Sequence, residues 1–291
     1  MLIELLATIV IPLGLDLYMP VPDDSPMTAE RIELGRQLFF DRRLSRDGSL
    51  ACATCHDPAR GFSDHRPIAV GVDGRPGRRN APALINRGYG RAFFWDGRAK
   101  SLEEQVLKPV EDPNELGSSV ANASQRVGVP PDEMARALSS FVRSILSGNS
   151  PFDRFINGDR TALTEEQRVG LQVFRGKGNC VACHVGPTLS DERLHNTGIA
   201  WRDAVYSDPG AGRGDFKTPT LREVSRTAPY MHDGTLATLE EVVDFYDRGG
   251  RRNPSLDPEI RPLRLTADEK TALVAFLKAL SGELQYGIAP K

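Results

Sequence analysis

The sequence is poor in cysteine, with four in 291 residues, and two short runs use all of them. It carries no strong excess of one charge. Lys and Arg number 37 against 39 Asp and Glu, a net charge of −2, so no global field points to nucleic acid or an anionic membrane. Long apolar runs are missing apart from the start, "MLIELLATIVIPLGL", which contains Glu4 and no basic n-region. That stretch is too short to span a bilayer and makes a poor secretory signal. Glycine (27) and proline (21) together stay below the low-complexity range and suggest ordered loops between short helices. No run alternates as strands do, which predicts a mainly α fold. What remains is an ordinary globular composition, 40% hydrophobic and 26% charged, in a chain long enough for about two domains.

The chain divides into two related halves. The first holds "TAERIELGRQLFFD" (28–41), "CATCH" (52–56) and "PDEMARALSSFVRSIL" (131–146); the second holds "TEEQRVGLQVFRGKGNC" (164–180), "CVACH" (180–184) and "TADEKTALVAFLKAL" (266–280). Each half thus runs amphipathic helix, CxxCH, long loops, closing helix. Thr28 is a weak start signal, whereas Thr164 with Gln167 and Thr266 with Glu269 fit capping boxes. Met134, Leu138, Phe141, Val142 and Ile145 form one helical stripe, and Leu273, Phe276, Leu277 and Leu280 another, both read as core packing. The Gly-, Pro-, Asn- and Asp-containing segment 147–162 is the expected boundary between domains at 15–148 and 163–285.

CxxCH is the attachment signature of c-type haem. Cys52 and Cys55, and Cys180 and Cys183, would add across haem vinyl groups as thioethers, with His56 and His184 giving an imidazole to each iron. A four-cysteine zinc site leaves the histidine after each pair unexplained. A redox CxxC normally follows a strand in a thioredoxin-like pattern, absent here. Two motifs consuming every cysteine therefore predict a di-haem c-type cytochrome, exported to a bacterial periplasm.

A carrier fills both axial positions of each iron, while an oxidative enzyme leaves one open. The available sixth ligands are His65, His195 and His232, the internal Met19, Met27, Met134 and Met231, and tyrosines. No methionine lies in the long loop between the first CxxCH and its closing helix, which leaves the first haem open on its distal side.

The stretches "LACATCHDPARGFSD", "FFWDGR", "EDPNELG" and "FKTPTLREVSRTAPYMHDGTLATLEEVVDFYDRGG", with the second CxxCH, resemble the bacterial di-haem cytochrome c peroxidases and their MauG branch, over about residues 15–285. The resemblance implies two cytochrome c-like domains, each with one covalent haem, facing a shared interface with a calcium ion between them. It gives His56 the catalytic haem and His184 the electron-transfer haem. Trp95 becomes a relay between them, Glu115 the distal acid–base, and Gln105 and Pro109 its pocket neighbours. Asn80, with the backbone carbonyls of Thr227 and Pro229, becomes the calcium site, a donor set suited to a hard cation. Two departures stand out. Val72 occupies the position where many of these peroxidases carry a blocking histidine, and His65 falls seven residues early. Tyr246 occupies the place of a methionine ligand to the second haem, as in the MauG branch, with Met231 the rival.

Three functions follow: a peroxidase reducing hydrogen peroxide with electrons from a small cytochrome or cupredoxin, a MauG-like oxidase using a high-valent di-haem state on a partner protein, and a plain electron carrier. Glu115 and an open iron weigh against the carrier. Val72 and Tyr246 lean toward the oxidase. The tryptophan that the MauG branch carries just before its second CxxCH is missing here, and Trp201 lies beyond that motif.

Overall fold

Threonine caps set where the main helices begin. In the computed structural model, which describes residues 9–288, the α-helices are α1 Ala29–Phe40, α2 Cys52–Cys55, α3 Leu102–Gln105, α4 Lys108–Glu111, α5 Val120–Val127, α6 Pro131–Arg143, α7 Pro151–Ile156, α8 Glu165–Arg175, α9 Leu239–Asp247 and α10 Ala267–Lys278. Most of the apolar start (residues 1–8) lies outside the described residues. The hydroxyl of Thr28 accepts the Arg31 N–H, so the weak start signal is a working cap. Thr164 with Gln167 and Thr266 with Glu269 form the reciprocal boxes expected of them. Among the described residues, sheet is limited to antiparallel pairs of two or three residues: β1 Leu146–Gly148 with β6 Glu283–Gln285, β2 Leu194–His195 with β5 Phe216–Lys217, and β3 Trp201–Arg202 with β4 Val205–Tyr206. The described fold is mainly α.

The two halves repeat one packing device. Helix α1 packs on α6, and α8 on α10. At the first crossing a Cβ on Gly35 would lie 1.9 Å from the Ala137 carbonyl oxygen; at the second, one on Gly170 would lie 1.9 Å from that of Ala272. Only glycine lets each backbone pair approach so closely. Four residues on from each glycine, a phenylalanine meets its partner: Phe39–Phe141 at 5.0 Å and Phe174–Phe276 at 5.2 Å between centroids. The sequence repeats accordingly, "GRQLF" and "GLQVF" against "ALSSF" and "ALVAF". One core gathers around Phe39, Phe62, Leu138 and Phe141, and another around Leu171, Phe174, Leu273 and Phe276.

Segment 147–162, the expected boundary, carries the short helix α7. Ser150 and Asp153 cap α7 reciprocally, with Pro151 in its first turn. Asp153, fully buried, pairs with Arg222 at 2.5 Å. Serine, proline and aspartate are at home both in linkers and in a helix's first turn. The strand β1, which overlaps the start of this stretch, pairs with β6, so residues 283–285 return to the junction between the cores.

Candidate active site

One cavity of about 760 Å³ brings together residues far apart in sequence. Its wall includes all four cysteines, His56, His184, Trp95, Gln105, Pro109, Glu115, Asn80, Thr227, Pro229, Met231 and Tyr246. At each CxxCH the chain makes a tight turn, and the histidine N–H donates to the carbonyl of the first cysteine, His56 to Cys52 at 3.0 Å and His184 to Cys180 at 2.9 Å. The cysteines are unbridged. Burial pushes Cys52 and Cys180 up to about 12 and Cys55 to about 11, the reverse of a reactive redox thiol. No metal-like cluster among the described residues joins the four cysteines.

Both imidazoles are prepared in the same way. His56 Nδ1 lies 3.1 Å from the Phe62 carbonyl oxygen, and His184 Nδ1 lies 2.9 Å from that of Leu189. A carbonyl only accepts, so each Nδ1 carries the proton and Nε2 keeps its lone pair. Phe62 (φ 55°) and Leu189 (φ 53°) both hold left-handed backbone conformations, so local strain accompanies each of these carbonyls. Burial lowers the pKa of both histidines and keeps them neutral, as ligands must be. Unbridged thiols with a neutral imidazole directly following, all in one cavity wall, fit covalent haem.

Around the first motif, Glu115 sits in the turn after α4. Its carbonyl accepts the Val72 N–H at 2.9 Å, and the next residue, Leu116, donates to the Pro109 carbonyl at 3.1 Å. Burial, reinforced by Asp112 and opposed by Arg98, raises the Glu115 carboxyl to about 7. Gln105 ends α3 with its side-chain amide making no hydrogen bond to the described residues. Val72 itself is buried behind the cavity, where a Cβ on Gly117 would meet its methyl at 2.7 Å. His65 is 60% exposed beside Asp64 and does not reach the cavity wall.

Residues 29–132 match the profile of the di-haem cytochrome c peroxidase family. The methylamine utilization protein MauG of Methylorubrum extorquens is 39% identical over 289 residues, covering 91% of this chain and 82% of that protein. The chain belongs to the di-haem cytochrome c peroxidase and MauG family. Cytochrome-c peroxidase IdrP2 of Denitromonas iodatirespirans is 37% identical, covering 93% of this chain and 86% of its own. A solved structure of a MauG-like protein associated with microbial copper homeostasis superimposes with a TM-score of 0.82 at 35% identity, over 92% of this chain and 94% of that one.

Within this family member, geometry narrows the sixth-ligand candidates. His195 is occupied on both nitrogens, Nδ1 by Asp257 at 2.6 Å and Nε2 by Asp191 at 2.9 Å. His232 stacks on Phe216, centroids 3.7 Å apart. Met134 and Met27 are core residues. Tyr246 and Met231 both line the cavity. Leu239, Val242, Val243 and Tyr246 share one face of α9 along the cavity wall. The Tyr246 hydroxyl makes no hydrogen bond among the described residues, and burial, then the adjacent Cys183 and Cys180, raises its pKa. Tyr246 lines the same cavity as both cysteines and the histidine of the second CxxCH. Trp201 packs edge-on against Tyr206, centroids 4.7 Å apart, and stands outside the cavity wall.

Between the motifs, Trp95 is tied at both ends: its Nε1 donates to the Asn80 carbonyl at 2.8 Å, and its own carbonyl accepts the Lys217 N–H at 2.7 Å. The Asn80 amide donates to the Arg66 carbonyl at 3.0 Å, which leaves Oδ1 as its uncommitted oxygen. The carbonyls of Thr227 and Pro229 accept no hydrogen bond from the described residues. Sequence reasoning passed over the cations of this wall. Arg79 clamps Asp96 and Asp208 at 2.7 and 2.6 Å, and Lys217 is buried. A lone Lys inside "FKTPTLR" gives no periodic signal; only tertiary burial reveals it.

Proposed function

We propose that this protein is a periplasmic di-haem enzyme that reduces hydrogen peroxide, with residues 15–148 holding the haem of His56 and residues 163–285 the haem of His184. The observation that carries the reading is Glu115, a carboxyl raised to about 7 by burial in the wall it shares with His56. Haem iron, when bound, would supply the redox chemistry for splitting the peroxide O–O bond; overall one peroxide, two electrons and two protons give two waters. Cys52, Cys55, Cys180 and Cys183 would hold the haems covalently, and His56 and His184 would give each a neutral nitrogen. At neutral pH roughly half of the Glu115 carboxyls are ionised, so the group can take a proton from one peroxide oxygen and return it to the departing one. The free amide of Gln105 orients the peroxide, and Pro109 shapes the apolar wall. Trp95 offers an oxidisable indole between the two halves. Asn80 Oδ1 and the carbonyls of Thr227 and Pro229 offer oxygen donors for Ca²⁺ from both halves. Electrons come from a small cytochrome or cupredoxin.

Tyr246 favours a second reading, in which a partner protein is oxidised instead. A phenol oxygen is a harder donor than a thioether and favours oxidised iron, which disfavours electron entry from a cytochrome. The test is peroxide-driven oxidation of a reduced small cytochrome by wild type and by Tyr246→Met, with haem stain and intact mass confirming two haems per chain. Slow wild-type turnover that Tyr246→Met accelerates supports the partner-protein reading. Fast wild-type turnover supports the peroxidase. A chain carrying no haem overturns both.

A further inference from the structure

Most cations of the cavity wall are matched by carboxylates or exposed. Arg79 pairs with Asp96 and Asp208, Arg98 pairs with Asp96, and Arg78 and Arg261 are exposed. One buried cluster is out of balance. Arg87 grips Glu192 with two prongs, Nη1–Oε1 at 2.7 Å and Nη2–Oε2 at 3.1 Å. Lys217 Nζ reaches the same carboxylate at 3.4 Å. The three side chains are only 11%, 10% and 9% exposed, in that order. Two cations therefore share one carboxylate where an unmatched charge is costly.

The excess faces a particular direction. Arg87 and Lys217 line the cavity and Glu192 does not. Lys217 Nζ donates also to the Thr218 carbonyl at 3.1 Å, which leaves a third ammonium proton without an acceptor among the described residues. Asp191, next to Glu192 in the chain, donates its N–H to the Cys183 carbonyl at 2.9 Å, and burial, then the His195 and Lys217 charges, hold the His184 imidazole below its usual pKa. The cluster thus borders the second CxxCH.

We infer that Arg87 and Lys217 receive a propionate carboxylate of the haem attached at Cys180 and Cys183. The inference rests on the di-haem reading. One propionate brings the single negative charge that the cluster lacks, and a planar guanidinium beside an ammonium suits a carboxylate. Burial, and then the neighbouring Arg87 charge, already push the Lys217 amine down to about 8 despite Glu192 and Asp191. The contact also joins the halves. Arg87 belongs to the first, and the Lys217 N–H holds the Trp95 carbonyl, so one residue anchors both the second haem and the backbone of the tryptophan between the motifs.

The test uses holoprotein loaded with haem carrying ¹³C at its propionate carboxyls, followed by reduced-minus-oxidised infrared difference spectra across pH. In wild type one labelled carboxylate stays ionised through the neutral range. Lys217→Met should raise its titration midpoint by about one to three pH units, the usual effect of an adjacent cation. Lys217→Arg should stay near wild type, and Glu192→Gln should move the midpoint the other way. Haem stain and intact mass on the same samples report loading independently. Two haems with an unmoved labelled band in Lys217→Met overturn the contact and leave the di-haem reading standing; a wild type without two haems overturns that reading instead. If Lys217→Met loses its second haem, Glu192→Gln decides, and an unmoved midpoint there rejects the contact.

Discussion

A carboxyl that titrates near 7 can act on both sides of a proton transfer, and Glu115 owes that value to its place. An exposed glutamate has a pKa near 4.5, and the cavity wall raises it to about 7 mainly by removing water from the charged form. The ionised form is the one that accepts the peroxide proton, so activity should rise with pH through about 7 and level off above it. Glu115→Gln keeps the shape and removes the proton acceptor. Its turnover should fall roughly 10²–10⁴-fold, and the inflection near 7 should vanish. A variant that keeps both rate and inflection assigns the proton transfer to another group. Sequence resemblance reached Glu115, Gln105 and Trp95 because each stands inside a long stretch of family likeness. It did not reach Lys217 or Arg87, whose meaning depends on burial against one shared carboxylate. Nor did it reveal that Val72 packs behind the wall while His65 faces solvent.

At the scale of elements, helices were legible because period and cap chemistry are local. The stripes around Phe141 and Phe276 and the boxes at Thr164 and Thr266 lie where the pattern puts them. The helix crossings were visible too, had the halves been aligned on glycine as well as on CxxCH. Segment 147–162, read as the boundary between the halves, carries α7, because serine, proline and aspartate serve an N-cap as well as a loop. The repeated crossing leads to a stability prediction. Gly170→Ala would drive a methyl carbon to within 1.9 Å of the Ala272 carbonyl, a backbone atom that cannot swing aside. Helices α8 and α10 must separate, at a cost of about 1–3 kcal/mol for overpacking. Chemical denaturation of holoprotein should show the loss, while Gln172→Ala, on the exposed face of the same helix, should stay within about 0.5 kcal/mol of wild type. Equal stability of the two variants would mean that the crossing is loose.

At the scale of the whole molecule, the question is what keeps two cores in register while electrons pass between them. Covalent chain provides part of the answer, with the β1–β6 pair and the buried Asp153–Arg222 contact beside it. The cavity between the cores adds a set of oxygens from both sides: Asn80 from the first half, Thr227 and Pro229 from the second. Carbonyls with no hydrogen-bond donor are poorly satisfied in a protein wall, and a hard cation satisfies several at once. If Ca²⁺ fills this place, its binding energy adds to stability by mass action, about 2.7 kcal/mol when the ion is a hundredfold above its dissociation constant. A chelator should then lower the thermal midpoint and slow peroxide turnover together, while the haem stain stays unchanged because thioether bonds do not depend on the ion. Added Ca²⁺ should restore both properties. Mg²⁺, which demands a tighter octahedron and sheds water reluctantly, should not. Asn80→Ala removes the only side-chain donor of the set, so it should resemble the chelated wild type and ignore further chelator. If chelated wild type keeps its midpoint and its turnover, these oxygens hold water rather than calcium, and the register rests on Trp95 and the charge clusters around it.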